Sequence, residues 1–504
     1  MIGRSIRFSF LNNILSIIVA FFLFPFIVRH TGQELYGVYL LVMTVTGYFG
    51  LLDMGVGSAT IKYVSEYNGA NNTEGINKII NASLSFYAVI GLIASFFLFL
   101  CSFYFNRFFN IDMQNLALAR QLLTIAAISS LFTWPLSVFR LMVQGLNLWD
   151  IEAMVNMAVQ TLNALLAIAI FTAGYGLMLY VIVTQAFSII ACIIFFLISK
   201  MKISFKISFS CLDIKTFKII FNFSAFMFLN SLISIFIFQI HNFIIGYFIS
   251  LSAVTIYAVA FNLQSIFRNI NSAIGAPPYT MASEMEGRGD HNGQRLLVFK
   301  GTKYMSAVFL PVVLIMFFFV EPFIQYWMGP GFRESYLPAK IIIIFWLVNG
   351  TITSAVNILP AKGIVKKSFY ITIFIAIANI AIGISFIKFI GITAIALGLS
   401  LSMIFIGAPL YLKLSLESLK ISFKEYFTKA IKGNFILYII VAVLSFIVLR
   451  NCYPKNIYVT IFEMAIIYLI SLVFYYIIVL NQDEKTEIRK LAGIEKLYTK
   501  TSLS

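Results

Sequence analysis

Along this chain apolar residues gather into long stretches, each closed off by a short polar or glycine-bearing break. A helix needs about 20 apolar residues to cross a bilayer, and about fourteen stretches suit that role. The first six are Phe8–Val28, Tyr36–Gly57, Ala82–Phe105, Arg120–Val143, Ala153–Ala173 and Leu177–Ser199. The next six are Ile219–Phe248, Ala253–Pro278, Tyr304–Met328, Pro338–Pro360, Phe369–Phe389 and Ile392–Leu412. A last pair covers Asn434–Leu449 and Ile457–Leu480. Glycine and proline mark several breaks, at Thr31-Gly32, Gly174-Tyr175-Gly176, Gly329-Pro330-Gly331 and Tyr453-Pro454. The pattern predicts an all-α integral membrane protein of about 14 transmembrane helices. Arg4 and Arg7 precede the opening run as in a signal peptide. That run is too long for one and ends at Arg29-His30 without a small-residue cleavage site, so it is read as the first span.

Composition fits the pattern. Hydrophobic residues are 61% of the 504 and charged residues 11%, where soluble chains run near about 45–50% and about 25%. The polar remainder is taken up by connections, which leaves no stretch for a sizeable catalytic domain outside the membrane. The net charge of +16 raises nucleic acid as a partner until the basic residues are placed. With the N-terminus inside, 27 of the 36 Lys and Arg fall on the cytoplasmic side, eight fall outside, and only Arg268 lies mid-span. Such a bias orients membrane proteins. It predicts cytoplasmic N and C termini and removes the reason to expect nucleic acid. The four cysteines form no CxxC pair and no Cys/His cluster, so neither a metal nor a disulfide framework is expected.

Two inner connections are amphipathic. Ser58–Asn81 sets Tyr63, Val64, Ile76, Ile79 and Ile80 among polar residues, and Lys413–Lys432 is similar and more basic. Both are expected to be solvated connectors near anionic lipid rather than segments lying along the membrane surface. A weak internal repeat pairs Thr31-Gly32 and Tyr36-Gly37-Val38-Tyr39 with Ser250-Leu251-Ser252 and Tyr257-Ala258-Val259. The two sites are six spans apart, and an even offset gives two six-helix lobes in parallel pseudo-repeat. The expected organisation is a lobe over 1–199, a basic cytoplasmic linker over 200–218 and a second lobe over 219–412. A basic loop over 413–433, an extra helix pair over 434–480 and a cytoplasmic tail over 481–504 complete it.

Polar groups within the spans supply the candidate chemistry. An ionised side chain in a bilayer costs about 3 kcal/mol, so it rarely faces lipid. Arg268 shares its helix with Asn262, Ser265, Asn269 and Ser272, which steps of three and four gather into a stripe. Its guanidinium offers a planar fork suited to phosphate or carboxylate; the competing reading is an arginine satisfied by neighbouring carbonyls. Arg140 and Gln144 are one turn apart in the fourth span, and Glu152, Asn156, Gln160 and Asn163 share a face of the fifth. Asn349, Thr353 and Asn357 do so in the tenth, and Asn12, Asn13 and Ser16 cluster in the first. The seventh holds Asn230, Ser234, Gln239, His241 and Asn242. A single Asn is best read as glue between helices, while stripes on several helices suggest a hydrated cavity of the kind a sugar requires. His241 is a candidate proton-coupling group. Asp53 is expected to pair with Lys62 or Arg140, with ion coupling as its other role.

No Walker A sequence is present, no DxD-like element, and no long outer loop with paired carboxylates. That disfavours an ATPase, a glycosyltransferase or a polymerase. The order of Phe24-Pro25-Phe26-Ile27-Val28-Arg29-His30-Thr31-Gly32, Tyr36-Gly37-Val38-Tyr39, Leu51-Leu52-Asp53-Met54-Gly55 and Lys62-Tyr63-Val64 resembles the start of the Wzx-type O-antigen and polysaccharide flippases. These form the polysaccharide-transporter branch of the multidrug/oligosaccharidyl-lipid/polysaccharide exporter superfamily. Ile256-Tyr257-Ala258, Arg268, Pro277, Glu284 and Glu286 extend the likeness.

The resemblance implies a transporter of the bacterial inner membrane, not an enzyme, working without a cofactor. Its cargo would be an undecaprenyl-diphosphate-linked oligosaccharide repeat unit, moved between leaflets by alternating access. Its partners would be membrane lipids and a polysaccharide polymerase or other assembly proteins. Arg29, Asp53 and Arg268 fall at matching positions. The candidate substrate-binding set is Arg268, Asn269, Ser265, Asn262, Arg140, Gln144, Arg29, Asn156 and Gln160, with Asp53, His241 and Lys62 for coupling or gating. The alternatives are a cation-coupled drug or small-molecule antiporter of the same superfamily and, further off, a membrane polysaccharide polymerase.

Overall fold

A computed structural model describes residues 2–109, 112–203, 205, 207 and 237–491. Among the described residues there is no strand, and eleven helical segments are long and apolar enough to cross a membrane. The expected linker over 200–218 and most of the seventh expected span, with Asn230 and Ser234, lie outside the described residues. The first two expected spans run together as α1 (Ile2–Tyr48), broken at Gly32, where φ is 79° and ψ 168°.

The chain forms two compact units, Met1–Ala258 and Val259–Ser504. The division thus falls inside a helix rather than in the basic linker. The cause is packing at the start of that helix. The first unit contains α1, α2 (Val56–Gly69), α3 (Thr73–Phe108), α4 (Met113–Gly145), α5 (Trp149–Thr172), α6 (Leu177–Lys202), α7 (Ile240–Phe248) and the opening of α8 (Leu251–Gly287). Ser252 and Thr255 of α8 donate to the side chain and carbonyl of Gln33, both at 2.7 Å, and Asn242 of α7 donates to Thr44 at 3.0 Å. Gly37 packs on the Leu251 carbonyl so closely that any Cβ would collide with it. The two tyrosine-bearing turns paired in the sequence therefore lie against each other. In lipid such contacts rest on close packing and hydrogen bonds, since burial against another helix brings no hydrophobic gain.

The connector over 58–81 is not a solvated loop. Most of it forms α2 and the start of α3, and Val56, Ala59, Val64, Ile76 and Ile80 are buried with Val138, Phe139 and Met142 of α4. One face of the amphipathic helix met a partner helix instead of lipid.

The second unit holds the rest of α8, α9 (His291–Met328), α10 (Tyr336–Val356), α11 (Val365–Ile390), α12 (Thr393–Leu401), α13 (Ala408–Ser418), α14 (Phe435–Asn451), α15 (Ile457–Phe474) and α16 (Gln482–Leu491). Ala307, Ile315 and Phe319 of α9 form a core with Leu437 and Val441 of α14 and Ile467 of α15. The basic connection over 413–432 is also tied down, because Leu416, Tyr426, Ala430 and Ile431 bury into a second core with Ala282 and Val298.

Candidate functional site

Two helices of the first unit, α3 and α4, and the turn that ends at Asp53 line one cavity that carries several polar groups. After α1 the chain makes a short turn, Phe49–Asp53, then reverses through Met54 (φ 48°) and Gly55 (φ 77°) into α2. This left-handed pair explains the Asp53-Met54-Gly55 sequence, since glycine takes that conformation without a steric cost. Asp53 accepts hydrogen bonds from the backbone N–H groups of Gly55 at 3.1 Å and Gly57 at 3.2 Å. A carboxylate at a helix N-terminus satisfies free amides and meets the positive end of the helix dipole. Tyr87 of α3 donates its hydroxyl to the same carboxylate.

On the facing helix α4, Arg140 donates Nε to Glu152 of α5 at 2.7 Å, and Gln144 donates to the same oxygen at 2.8 Å. Glu152 is buried, while the Arg140 side chain is 51% exposed. Glu152 takes only Nε, so the terminal guanidinium nitrogens are left for the cavity. Asp53, Tyr87, Thr133, Trp134, Ser137, Arg140 and Gln144 line about 400 Å³, within the range of small-ligand pockets, about 300–1,000 Å³. The lining offers a carboxylate, a guanidinium, an amide and three hydroxyl types. It also has two aromatic rings, Tyr87 and Trp134, whose centroids are 5.9 Å apart. One carboxylate and one guanidinium in the lining, with Glu152 behind Arg140, do not make a strongly cationic site; they make one that offers acceptors and donors for hydroxyl groups.

Of the residues singled out in the sequence, Asp53, Arg140 and Gln144 are brought together here. The ion pairing expected for Asp53 with Lys62 or Arg140 is not what forms: backbone amides and Tyr87 hold Asp53, and Glu152 takes Arg140. Lys62 is on the exposed side of α2 with its ammonium 4.6 Å from the Tyr63 ring. Gln160 accepts from Ser16 of α1 at 2.8 Å, so that part of the α5 stripe joins two helices. Asn156 is half-buried on the same helix, and Arg29 is exposed before the Gly32 break. His241 is buried in α7 with its ring against Tyr257, 3.4 Å from that hydroxyl.

In the second unit, α8 presents Asn262, Ser265 and Arg268 half-buried and Asn269 exposed. Ser265 bonds back to its own helix at the Phe261 carbonyl, 3.2 Å away. One turn along, the helix is glued to α10: Thr353 donates to Asn271 at 3.1 Å and Asn357 to the Gly275 carbonyl at 2.8 Å. The stripe of the tenth expected span thus holds a helix seam at Thr353 and Asn357. Beside it Gln264 is buried with neither amide atom hydrogen-bonded.

Sequence reasoning passed over Tyr87, Thr133, Trp134 and Ser137, each set in an apolar run, and Gln264. It also passed over Glu463, a carboxylate within α15 with one buried, unbonded oxygen. A lone carboxylate in a span is a legible signal. Among the described residues no group of three or more His, Cys, Asp or Glu is assembled as a metal would need.

Comparison with known proteins adds family and fold. The family model described as polysaccharide biosynthesis protein matches residues 2–279. The uncharacterized membrane protein EpsK of Bacillus subtilis (strain 168) is 21% identical over 63% of this chain, a match that spans 64% of EpsK and so less than two thirds of it. A Shigella flexneri protein provisionally named an O-antigen transporter is 22% identical over 67% of this chain and 79% of its own length. Among solved structures, the lipid II flippase MurJ in an inward closed conformation aligns with a TM-score of 0.71 at 16% identity, covering 94% of this chain and 99% of MurJ. An inward-facing multidrug resistance transporter of the MATE family aligns with a TM-score of 0.66 at 14% identity, covering 81% of this chain and 94% of its own.

Proposed function

The chain belongs to the polysaccharide biosynthesis protein family, and from that premise we propose that it flips a lipid-linked oligosaccharide across the bacterial inner membrane. The cargo is an undecaprenyl-diphosphate-linked repeat unit of O-antigen or another surface polysaccharide, moved by alternating access. The observation that carries this reading is the composition of the first-unit cavity. A carboxylate, an amide, a guanidinium, hydroxyls and the paired rings of Tyr87 and Trp134 are the groups that grip sugar hydroxyls and cover sugar faces.

In this reading the sugar meets Asp53, Ser137, Arg140 and Gln144. For the second unit, taken by itself, the proposal gives Arg268 a role in holding the diphosphate, since its fork suits phosphate oxygens, with Asn262, Ser265 and Asn269 along the same helix. Lobes of six helices and cytoplasmic termini belong to the same proposal, as does a polymerase or other assembly protein as partner. Arg268→Ala should abolish surface-glycan assembly at normal protein level and insertion. Arg268→Lys should restore it only in part, because an ammonium lacks the fork. Full assembly in Arg268→Ala would overturn the diphosphate role.

A further inference from the structure

The connection into α14 departs from regular helix where it enters the apolar segment. Phe427–Ile431 widens to a π-helical turn, Lys432–Asn434 tightens to a 3₁₀ turn, and α14 follows. Wide turns of this kind recur at functional positions in helices. Here the bend is fixed from the inside. Tyr426 is buried with its hydroxyl donating to the Thr351 carbonyl. Asn434 is buried with its amide donating to the Lys303 carbonyl and to Ser306, both at 2.8 Å.

On the outside the bend opens a groove of about 620 Å³. Its walls are Phe427, Phe435, Ile436 and Ile439, with Thr428 in the wide turn and Lys432 in the tight turn before α14. The Phe427 and Phe435 ring centroids are 5.8 Å apart, and Ile439 is 60% exposed, so the groove opens outward rather than into the core. The charge around it is selective. Glu425 takes both Lys429 at 2.8 Å and Arg295 at 3.2 Å. Lys432 is exposed and has no ion pair among the described residues.

We propose that this groove binds an anionic phospholipid of the surrounding bilayer. The acyl chains lie on Phe435, Ile436 and Ile439, and the phosphate sits on the Lys432 ammonium, the Thr428 hydroxyl being spent on the Lys424 carbonyl at 2.8 Å. Basic pockets beside membrane helices on the positive-rich side take acidic head groups. A lysine stem runs along apolar surface while its ammonium stays at head-group depth. One ammonium matches the single charge of a phosphodiester, whereas a diphosphate would leave most of its charge unmet.

The test uses the full chain purified in mild detergent, with native mass spectrometry counting retained lipid. The probes are dioleoylphosphatidylglycerol, dioleoylphosphatidylcholine and undecaprenyl phosphate. The glycerol lipid should be retained over the choline lipid. Lys432→Ala should weaken that retention about fivefold, the worth of one cation at an anionic surface. Lys432→Arg should keep it, and so should Lys366→Glu, an exposed charge reversal elsewhere among the basic connections. Equal retention of the two phospholipids, equal losses in Lys432→Ala and Lys366→Glu, or retention of undecaprenyl phosphate alone would each overturn the proposal. All variants are first checked for a monodisperse folded peak by size exclusion.

Discussion

The cavity of the first unit and the α8–α10 seam of the second are built from the same kinds of residue and use them in opposite ways. At the seam, Thr353 and Asn357 spend their donors on the neighbouring helix, at Asn271 and the Gly275 carbonyl. In the cavity, Glu152 holds Arg140 by one nitrogen only, and Asp53 is held by amides of its own chain turn and by Tyr87. The difference lies in how much hydrogen-bonding capacity is left over. Polar groups used up between helices are structural; Arg140, held by Nε alone and half exposed, keeps hydrogen-bonding capacity for a ligand.

The contrast can be broken most forcefully at Glu152. Glu152→Ala removes the shared acceptor of Arg140 and Gln144. Breaking a buried pair is strongly destabilising, and because Arg140 is half exposed a loss of about 2 kcal/mol is expected after allowing for solvent screening. Thermal unfolding in detergent checks it, and an unchanged midpoint would make the pair ornamental. Asp53→Asn keeps the shape and part of the capping, so about 1 kcal/mol of stability is lost. Transport, scored by surface glycan, should fall about tenfold or more, since charge-assisted bonds are worth about 1.5–3 kcal/mol. Thr353→Val, on the other side of the comparison, should cost only about 0.6 kcal/mol and leave surface glycan at the parental level.

The smallest effect concerns the tail. Glu484 of α16 accepts from Lys303 at 2.7 and 2.8 Å and from the Asn481 backbone at 3.0 Å. Burial works against its charged form, but Lys303 and Asn481 outweigh it and hold the carboxyl below its ordinary 4.5. A carboxyl lowered by folding stabilises above its unfolded value, and that support is lost as pH falls through the folded value. Hydrogen exchange should therefore show α16 docked at neutral pH and released only below pH 4.5; release already near pH 6 would contradict the role of this pair.

Much of this was legible from residue types alone. Helical spans follow from run length, and Asp53-Met54-Gly55 announces a helix break with a carboxylate at the next N-terminus. Arg140 and Gln144 were readable as one face of one helix. What could not be read was which helix each face meets. The stripe at Thr353 and Asn357 has the same spacing as one lining a cavity, and only the proximity of Asn271 and Gly275 makes it glue. Tyr87 and Trp134 gave no signal because an aromatic in an apolar run looks like lipid-facing surface. The connectors over 58–81 and 413–432 read as solvated loops because amphipathic spacing does not say whether lipid, water or another helix covers the apolar side.

The central claim, that the polar cavity of the first unit grips the sugar of a lipid-linked repeat, is tested most directly by the leaflet distribution of that lipid. Cells lacking the protein are complemented with Arg140→Gln or with Thr353→Val, matched for protein level, and the repeat units in each leaflet are quantified. The cavity variant should accumulate them in the inner leaflet as the deletion does, while the seam variant clears them. Normal clearance by Arg140→Gln would contradict the account.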